Sequence, residues 1–588
     1  MYGVQMLNQT FGKSKKLKMN NLFKILLVFL PLCEMWAQPV TSNMQLQESF
    51  KELPQEEVFV HYNSSLLMPG AQFYYKVYVL NTAENKLSGL SKVAYVALID
   101  KNGEEVFKHK IYLENGVGAS DFFIPNSVNS GHYKLVAYTQ WMQNGGVKNS
   151  FRADLLSINP YQNEQDIIDT DKEISAVNLK DNNSGEFLSL SVLKTTYEKR
   201  EKVILEILNT EKIIGNFSIS VNKLEEFEVP EKPTSANYGR NYEIENKSNS
   251  EYFIPELRGE LLLGSISPMP INSNRKPQVA LSINGNQQIF RTSVVNNTGE
   301  FFVNLDEKFD GETALLQVLN DEDSNYKIQL RKKEKINTSA LVFKDYKISA
   351  EANDEILQRS IHHQIENAFF EVKADSLPVA EMENKELYPG ESQLYVLDKY
   401  TRFKTLEETF VEFIYLARIR KDEQGEPEFR VSGIQNSLDY GLPPLLLVDN
   451  VLVEDHSHFI NYPSEKVESI EVFRNNFYLG PTVAQGLIKV KTIEGDYVES
   501  LDKLTEIKIK SPQLDKNYSF QNYNQPEKFN RIPDFRYQLF WMPHIELEEK
   551  NKAIEFFTSD VTGTFEISLE GFTRDGEPIS LKKQFEVK

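Results

Sequence analysis

The run Phe73-Tyr74-Tyr75-Lys76-Val77-Tyr78-Val79 constrains this chain more than any other feature. All but one of its residues are aromatic or β-branched. Such side chains lose rotamer freedom against the preceding helical turn but pack well on a pleated surface. The run is entered through Pro69-Gly70, and it does not stand alone. Val58-Phe59-Val60 precedes it. Val93-Ala94-Tyr95-Val96-Ala97-Leu98-Ile99 follows and stops at Asp100-Lys101-Asn102-Gly103, and Tyr133-Lys134-Leu135-Val136-Ala137-Tyr138 begins just after Gly131. Pro presets φ, while Gly and Asn accept positive φ, so each boundary has the chemistry of a turn. Short strands at this spacing predict a β-sandwich over 56–160.

The β habit continues through most of the sequence. A shorter set over 185–228 (Leu188–Val192, Val203–Ile207, Phe217–Val221) predicts a second sandwich segment, and Pro230–Tyr252, rich in Asn, Ser, Glu and Lys, predicts a linker. Strands return over 253–350, with Leu257–Ile266, Val279–Ser282 and a Thr298-Gly299-Glu300-Phe301 step. A strand-rich module is expected over 505–588, where Phe565, Ile567 and Leu569 alternate. Two stretches break the pattern. Ile356, Leu357, Ile361, Ile365 and Phe369 recur at helical spacing within Asp354–Phe370. A second helix is expected over Leu406–Arg420, with Thr405 and Glu408 placed as a capping box.

The N-terminus predicts export. Ile25-Leu26-Leu27-Val28-Phe29-Leu30-Pro31-Leu32 is too short to span a bilayer, which takes roughly 20 apolar residues. It suits a signal-peptide core, with lysines upstream, Met19 as the better start and Ala37 before the cut, so 1–37 is expected to leave. Cys33, the only cysteine, would leave with it; Leu32 is too large for an ordinary lipidation site. The net charge of −20 would become about −24 after the cut, which argues against nucleic acid and against an anionic membrane surface as partners. No later segment is long and apolar enough to predict a transmembrane helix.

Several of these segments resemble known families. Pro69-Gly70, Val96-Ala97-Leu98-Ile99-Asp100-Lys101-Asn102-Gly103 and Gly131-His132-Tyr133 resemble the turn, strand-turn and closing strand of macroglobulin-type (MG2) domains. The 185–228 segment looks like a second such domain. The thioester chemistry of that family needs a cysteine, and the mature chain has none. The 253–350 region is similar to carboxypeptidase-regulatory-like sandwiches, a non-catalytic fold. Pro443–Val451, Val467-Glu468-Ser469-Ile470-Glu471-Val472-Phe473 and Gly486-Leu487-Ile488-Lys489-Val490-Lys491-Thr492 resemble, in order, three strands of the TonB-dependent-receptor plug. That family usually has Gly where Asn450 stands, and Asn also tolerates the left-handed region. The plug-like domain is placed at 392–497. Too little sequence follows Gly495 for a 22-stranded barrel, so a plug fold without its own barrel is expected. This order of modules resembles multidomain envelope proteins of Bacteroidota. The fold class expected is mainly β: tandem Ig-like or macroglobulin-like sandwiches plus one small α+β module.

Candidate chemistry is sparse. His362 and His363 are adjacent on a predicted helix and point about 100° apart, which suits no shared metal. Asp455, His456 and His458 are better spaced if they lie on a strand, where i and i+2 share a face. No Gly-x-Ser-x-Gly elbow is present. Tyr138, Trp141, Tyr537 and Trp541 are candidate interface anchors, because Tyr and Trp concentrate at binding hot spots. The reading is a non-enzymatic protein without cofactor. It would be exported, held at the outer membrane through partners on the periplasmic or surface side, and would bind a β-barrel protein or an assembly or transport complex. Alternatives are a ligand-binding component of TonB-dependent uptake, which would need a concave aromatic-lined surface, and a macroglobulin-like adhesion or protease-interacting protein.

Overall fold

The computed structural model describes residues 53–162, 168–169, 187–237, 253–268, 277–319, 326–333, 335–373, 388, 390–434, 441–479, 482–498, 501, 504–524, 529, 531–547 and 549–588. The expected leader, with Met19, Cys33 and Ala37, lies outside them. No helix among the described residues is long and apolar enough to cross a membrane.

The first sandwich is built from consecutive sequence, and the fold class is mainly β, as the strand runs imply. One sheet pairs Glu56–Tyr62 with Gln72–Asn81, and Gln72–Asn81 with Val117–Phe123. The other runs Phe151–Ser157, Gly131–Thr139, Val93–Asp100, Glu105–Tyr112, each antiparallel to the next. Val60, Tyr75, Val77, Val96, Leu98 and Leu135 fill the space between. Gln72–Asn81 is buried on both faces, which explains its unbroken apolar run. Tyr75 and Val77 face the sandwich core, while Tyr74 meets Trp541 and the Lys76 ammonium donates to the Phe217 carbonyl at 3.1 Å, across a seam with a second sandwich.

That second sandwich is split in sequence. Leu188–Val192 pairs with Lys202–Asn209, which pairs with Asn551–Phe557; Gly215–Lys223 lies between Gln538–Glu546 and Gly563–Thr573, with Pro578–Val587 beyond. The 185–228 and 505–588 segments, expected as separate modules, are therefore two halves of one domain with a shared core of Val203, Leu205, Phe217, Ile219, Ile567 and Leu569. Each half contributes strands to both sheets, so neither closes the shared core alone.

Everything between the halves is an insertion, itself nested. An inner sandwich stacks Glu260–Ser267, flanked by Glu300–Leu305 and Lys327–Leu330, on Ile289–Val294, Gln278–Ile283 and Thr313–Leu319. Its last strand is Thr505–Lys508, antiparallel to Thr313–Leu319, so the expected C-terminal module begins by closing this domain. The long helix Asn353–Ala368 matches the expected one but buries Ile356, Arg359, Ser360 and His363, leaving Leu357 and Ile361 exposed.

The α+β module is inserted between Lys327–Leu330 and Thr505–Lys508. Its sheet order is Ser392–Val396, Val467–Leu479, Thr482–Thr492, Leu445–Val448, Val451–Leu452. The helix expected over Leu406–Arg420 starts on the expected capping box but ends at Glu412. Ala417–Lys421 instead forms a hairpin with Pro427–Val431, because Asp422 accepts from the Gln424 and Glu426 amides and Gly425 takes φ +95°.

Candidate interaction site

Pro443–Val451, Val467–Phe473 and Gly486–Thr492 come together in one sheet. Leu445–Val448 runs parallel to Thr482–Thr492, with Leu446 opposite Ile488 and Val448 opposite Val490. Val467–Leu479 lies antiparallel on the far side, with Ile470 opposite Val490. Leu446, Val448, Ile470 and Val490 pack into the module's own core, whereas Leu445, Leu447, Phe473 and Leu487 pack against Ala280, Phe290 and Leu319 of the inner sandwich. A sheet covered on both faces needs continuous apolar strands, and Leu445-Leu446-Leu447-Val448 is one. Gly486 adopts φ +94°, and a Cβ there would lie 2.6 Å from the Val431 Cβ, so the hairpin can cross the sheet only over glycine.

The turn at Asp449-Asn450 is the docking point of the module. Both residues have positive φ, +49° and +66°. The Asp449 carboxylate accepts from the Thr492 amide (2.8 Å) and hydroxyl (2.7 Å), which ties the turn to the neighbouring strand. Asn450 is fully buried, and its Nδ2 donates to the carbonyls of Ile283 (3.2 Å) and Ile289 (2.8 Å) in the inner sandwich. Ser282 Oγ and Asn284 Nδ2 donate back to the carbonyls of Asn450 (2.7 Å) and Asp449 (3.1 Å), and Gln317 Nε2 donates to that of Leu452 (2.9 Å). Asn450 therefore accommodates the turn and adds a side chain that clamps two domains. The sequence indicated the turn geometry but not the clamp.

The opposite edge of the sheet carries no further strand among the described residues. Ser392–Val396 is a terminal strand, and Leu394 on it is exposed. Tyr395 beneath is buried and contacts Tyr400 (6.3 Å) and Tyr415 (6.1 Å), while Tyr400 stacks on Phe413 at 4.4 Å. Tyr400, Tyr415 and Val411 are themselves exposed, Tyr415 by 75%.

The four aromatic residues expected as interface anchors are not at this edge. Tyr138, Trp141, Tyr537 and Trp541 are only 1%, 0%, 6% and 1% exposed. Tyr138 stacks on Tyr95, and Trp141 Nε1 donates to the Pro54 carbonyl at 3.0 Å. Tyr537 carries the Arg359 guanidinium over its ring at 4.5 Å, and Trp541 packs on Tyr74 and His61. All four anchor contacts within this chain, and Trp541 does so where one sandwich meets the next.

The histidines fall differently from expectation. Asp455, His456 and His458 do not lie on a strand: Asp455 caps the short helix His456–Ile460, accepting from the Ser457 amide at 2.9 Å, so His456 and His458 diverge. His456 is buried against Phe429 and accepts from its amide at 3.3 Å; burial pushes its pKa down to about 4 against the opposing pull of Asp455. His362 stacks on Phe535 at 4.2 Å and hydrogen-bonds the Tyr537 hydroxyl at 3.2 Å. Among the described residues no cluster of three His, Cys, Asp or Glu side chains is placed to hold a metal.

No family model matches the chain, and no curated protein sequence matches it. Among solved structures, native Escherichia coli alpha-2-macroglobulin aligns over 91% of this chain and 40% of its own, at 11% identity and a TM-score of 0.22. Salmonella alpha-2-macroglobulin reacted with methylamine aligns over the same shares at 9% identity and a TM-score of 0.23. Dimeric latent PorU from Porphyromonas gingivalis aligns over 50% of this chain and 34% of its own, at 9% identity and a TM-score of 0.16. The chain spans about two fifths of the length of the alpha-2-macroglobulins it aligns with. Likeness at this level does not bear on function.

Proposed function

We propose that this protein is an exported, non-enzymatic accessory protein of the outer membrane that binds another envelope protein, a β-barrel or a component of an assembly or transport complex, through its plug-like module. The observation that carries the reading is the asymmetry of that module. One side of its sheet is clamped to the inner sandwich through the Asp449-Asn450 turn, and the far side ends, among the described residues, in a strand edge with Leu394, Tyr400 and Tyr415 exposed. Open strand edges add partner strands, and exposed aromatic residues supply the anchoring area of interfaces. The nested sandwiches serve as the stand that fixes this edge. Membrane association would then come through the partner.

Purification of the native full-length protein from detergent-solubilised membranes, followed by mass spectrometry, tests this. A stoichiometric β-barrel partner is expected with the native chain and is expected to be lost with Leu394→Lys combined with Tyr415→Lys. Recovery of the native protein alone, in the soluble fraction, would overturn the proposal.

A further inference from the structure

The helix Asn353–Ala368 presents its faces in reverse. A surface helix normally sets its apolar stripe on the core and its polar side in water. This one sets Arg359, Ser360 and His363 on the core beside Ile356. Arg359 is paired with Glu225 and lies over the Tyr537 ring at 4.5 Å, and His363 meets the same ring edge-on at 5.6 Å. The apolar side faces outward. Leu357 is 56% exposed and Ile361 47%, Ile365 is half-buried and Ala368 is exposed. Side chains three and four positions apart lie on one face of a helix, so these four form a single row about three turns, or roughly 16 Å, long. A contiguous apolar row left in water marks an interaction surface.

Spacing and charge describe what would cover it. Ile361, Ile365 and Ala368 are separated by four and then three residues, the alternation with which one helix packs its side chains between those of another. The row offers side chains but no free backbone donors or acceptors, so an added strand would gain nothing there. Every exposed charged side chain between Ser349 and Val372 is a carboxylate: Glu351, Asp354 and Glu371. Arg359, the one arginine or lysine in that stretch, is buried and matched to Glu225. Asp354 stands one turn before Leu357 and Glu371 just beyond Ala368, at the two ends of the row. A second copy packed about a two-fold axis with antiparallel helices would bring Asp354 against Glu371, like charge on like. An anionic membrane surface would be repelled in the same way.

We infer that the row Leu357-Ile361-Ile365-Ala368 is the docking face for a basic amphipathic helix of another protein, about three to four turns long. Its apolar side covers the row, and its Lys or Arg side chains reach Asp354 and Glu371. This face belongs to a different element from the strand edge proposed above and does not depend on that reading.

The test is fluorescence anisotropy of a labelled leucine–lysine peptide of about 14 residues that folds as an amphipathic helix, titrated with the full-length chain. The same pattern with glutamate for lysine is the charge control. Saturable one-to-one binding of the lysine peptide is expected, and none of the glutamate peptide. Leu357→Lys combined with Ile361→Lys should weaken binding by about tenfold or more. Leu193→Lys combined with Leu208→Lys makes the same charge change at exposed leucines elsewhere and should leave binding within about twofold. Asp354→Lys combined with Glu371→Lys leaves the row intact. It should weaken the lysine peptide several-fold and admit the glutamate peptide, and it decides the matter if the first pair fails to fold. Absence of lysine-peptide binding overturns the proposal, as does equal loss with both leucine pairs or equal binding of the glutamate peptide. So does a chain that dimerises, or binds phosphatidylcholine vesicles, through Leu357 and Ile361.

Discussion

The first sandwich and the split sandwich have the same architecture and opposite relations to the sequence. In the first, every strand of both sheets lies within 56–158, so each pairing is closed inside that one stretch of sequence. In the second, Lys202–Asn209 pairs with Asn551–Phe557 and Gly215–Lys223 with Gly563–Thr573, while residues 224–537 fold in between. A sandwich closed by local pairing can form early; one that must wait for distant strands incurs the closure entropy first and gains its contacts last. The split sandwich also leans on the first: Phe572 joins the first sandwich's core, edge-on to Phe59, and Trp541 covers Tyr74 and His61. The comparison teaches that the first sandwich is the foundation and the split one the clasp that locks the insertions in place.

The sharpest way to break that comparison is Trp541→Ala. Removing a fully buried indole costs about 3–5 kcal/mol. Urea unfolding followed by strand-resolved hydrogen exchange should show the split sandwich opening first, with the first sandwich nearly unchanged. Equal loss in both would dissolve the distinction between foundation and clasp.

Acidity separates the seams next. Glu570, in the split sandwich, is buried at the seam with the first, and its pKa is raised to about 7 by burial, against hydrogen bonds from Ser235 and Ser580. A carboxyl raised in the folded state contributes stability that is full below its ordinary value of 4.5 and is lost as pH rises through about 7. The loss is of order 3 kcal/mol at most, and Glu570→Gln should flatten it. Glu260, at the seam of the first and inner sandwiches, behaves oppositely. Burial raises its pKa, but Lys333 and Lys110 outweigh burial and hold it below the ordinary value. Its contribution is present above that value and is lost as pH falls through the depressed one. Exchange measured against pH should therefore loosen the split-sandwich seam between about pH 4.5 and 7 and the inner-sandwich seam only on strong acidification.

Asn450→Gly is a smaller and more local probe. Glycine suits the turn, so the module should stay folded, but two hydrogen bonds to the inner sandwich disappear, at roughly 1–3 kcal/mol. Faster exchange at Leu445–Leu452 without a change inside the first sandwich is the expected reading. Smallest of all, Leu394→Lys on the exposed edge should shift stability by no more than about 0.5 kcal/mol, by thermal melting. Under the proposed function, its larger effect would fall on partner binding.

How far the sequence could be read follows the same division. The first sandwich was legible because turn chemistry at Pro69-Gly70 and Asp100–Gly103 marks the ends of strands that pair nearby. The strands of the α+β module were legible because an unbroken run such as Leu445–Val448 needs cover on both faces. The alternation of Phe565, Ile567 and Leu569 identified a strand, but alternation names no partner, so its place beside Gly215–Lys223 stayed hidden. Trp541 and Tyr537 were misplaced for a related reason: an aromatic residue on a strand looks the same whether it covers another domain or faces a partner. The pairing of Arg359 with Glu225 arises only when segments far apart in sequence meet.

Native-state hydrogen exchange on the intact chain in low urea tests the central claim most directly. Amides of Lys202–Asn209 and Asn551–Phe557 should open together, with one free energy and one urea dependence, while those of Val93–Asp100 open at a higher free energy of their own. Continued protection of Lys202–Asn209 after Asn551–Phe557 has exchanged would contradict the account, because the two segments would then not be halves of one domain.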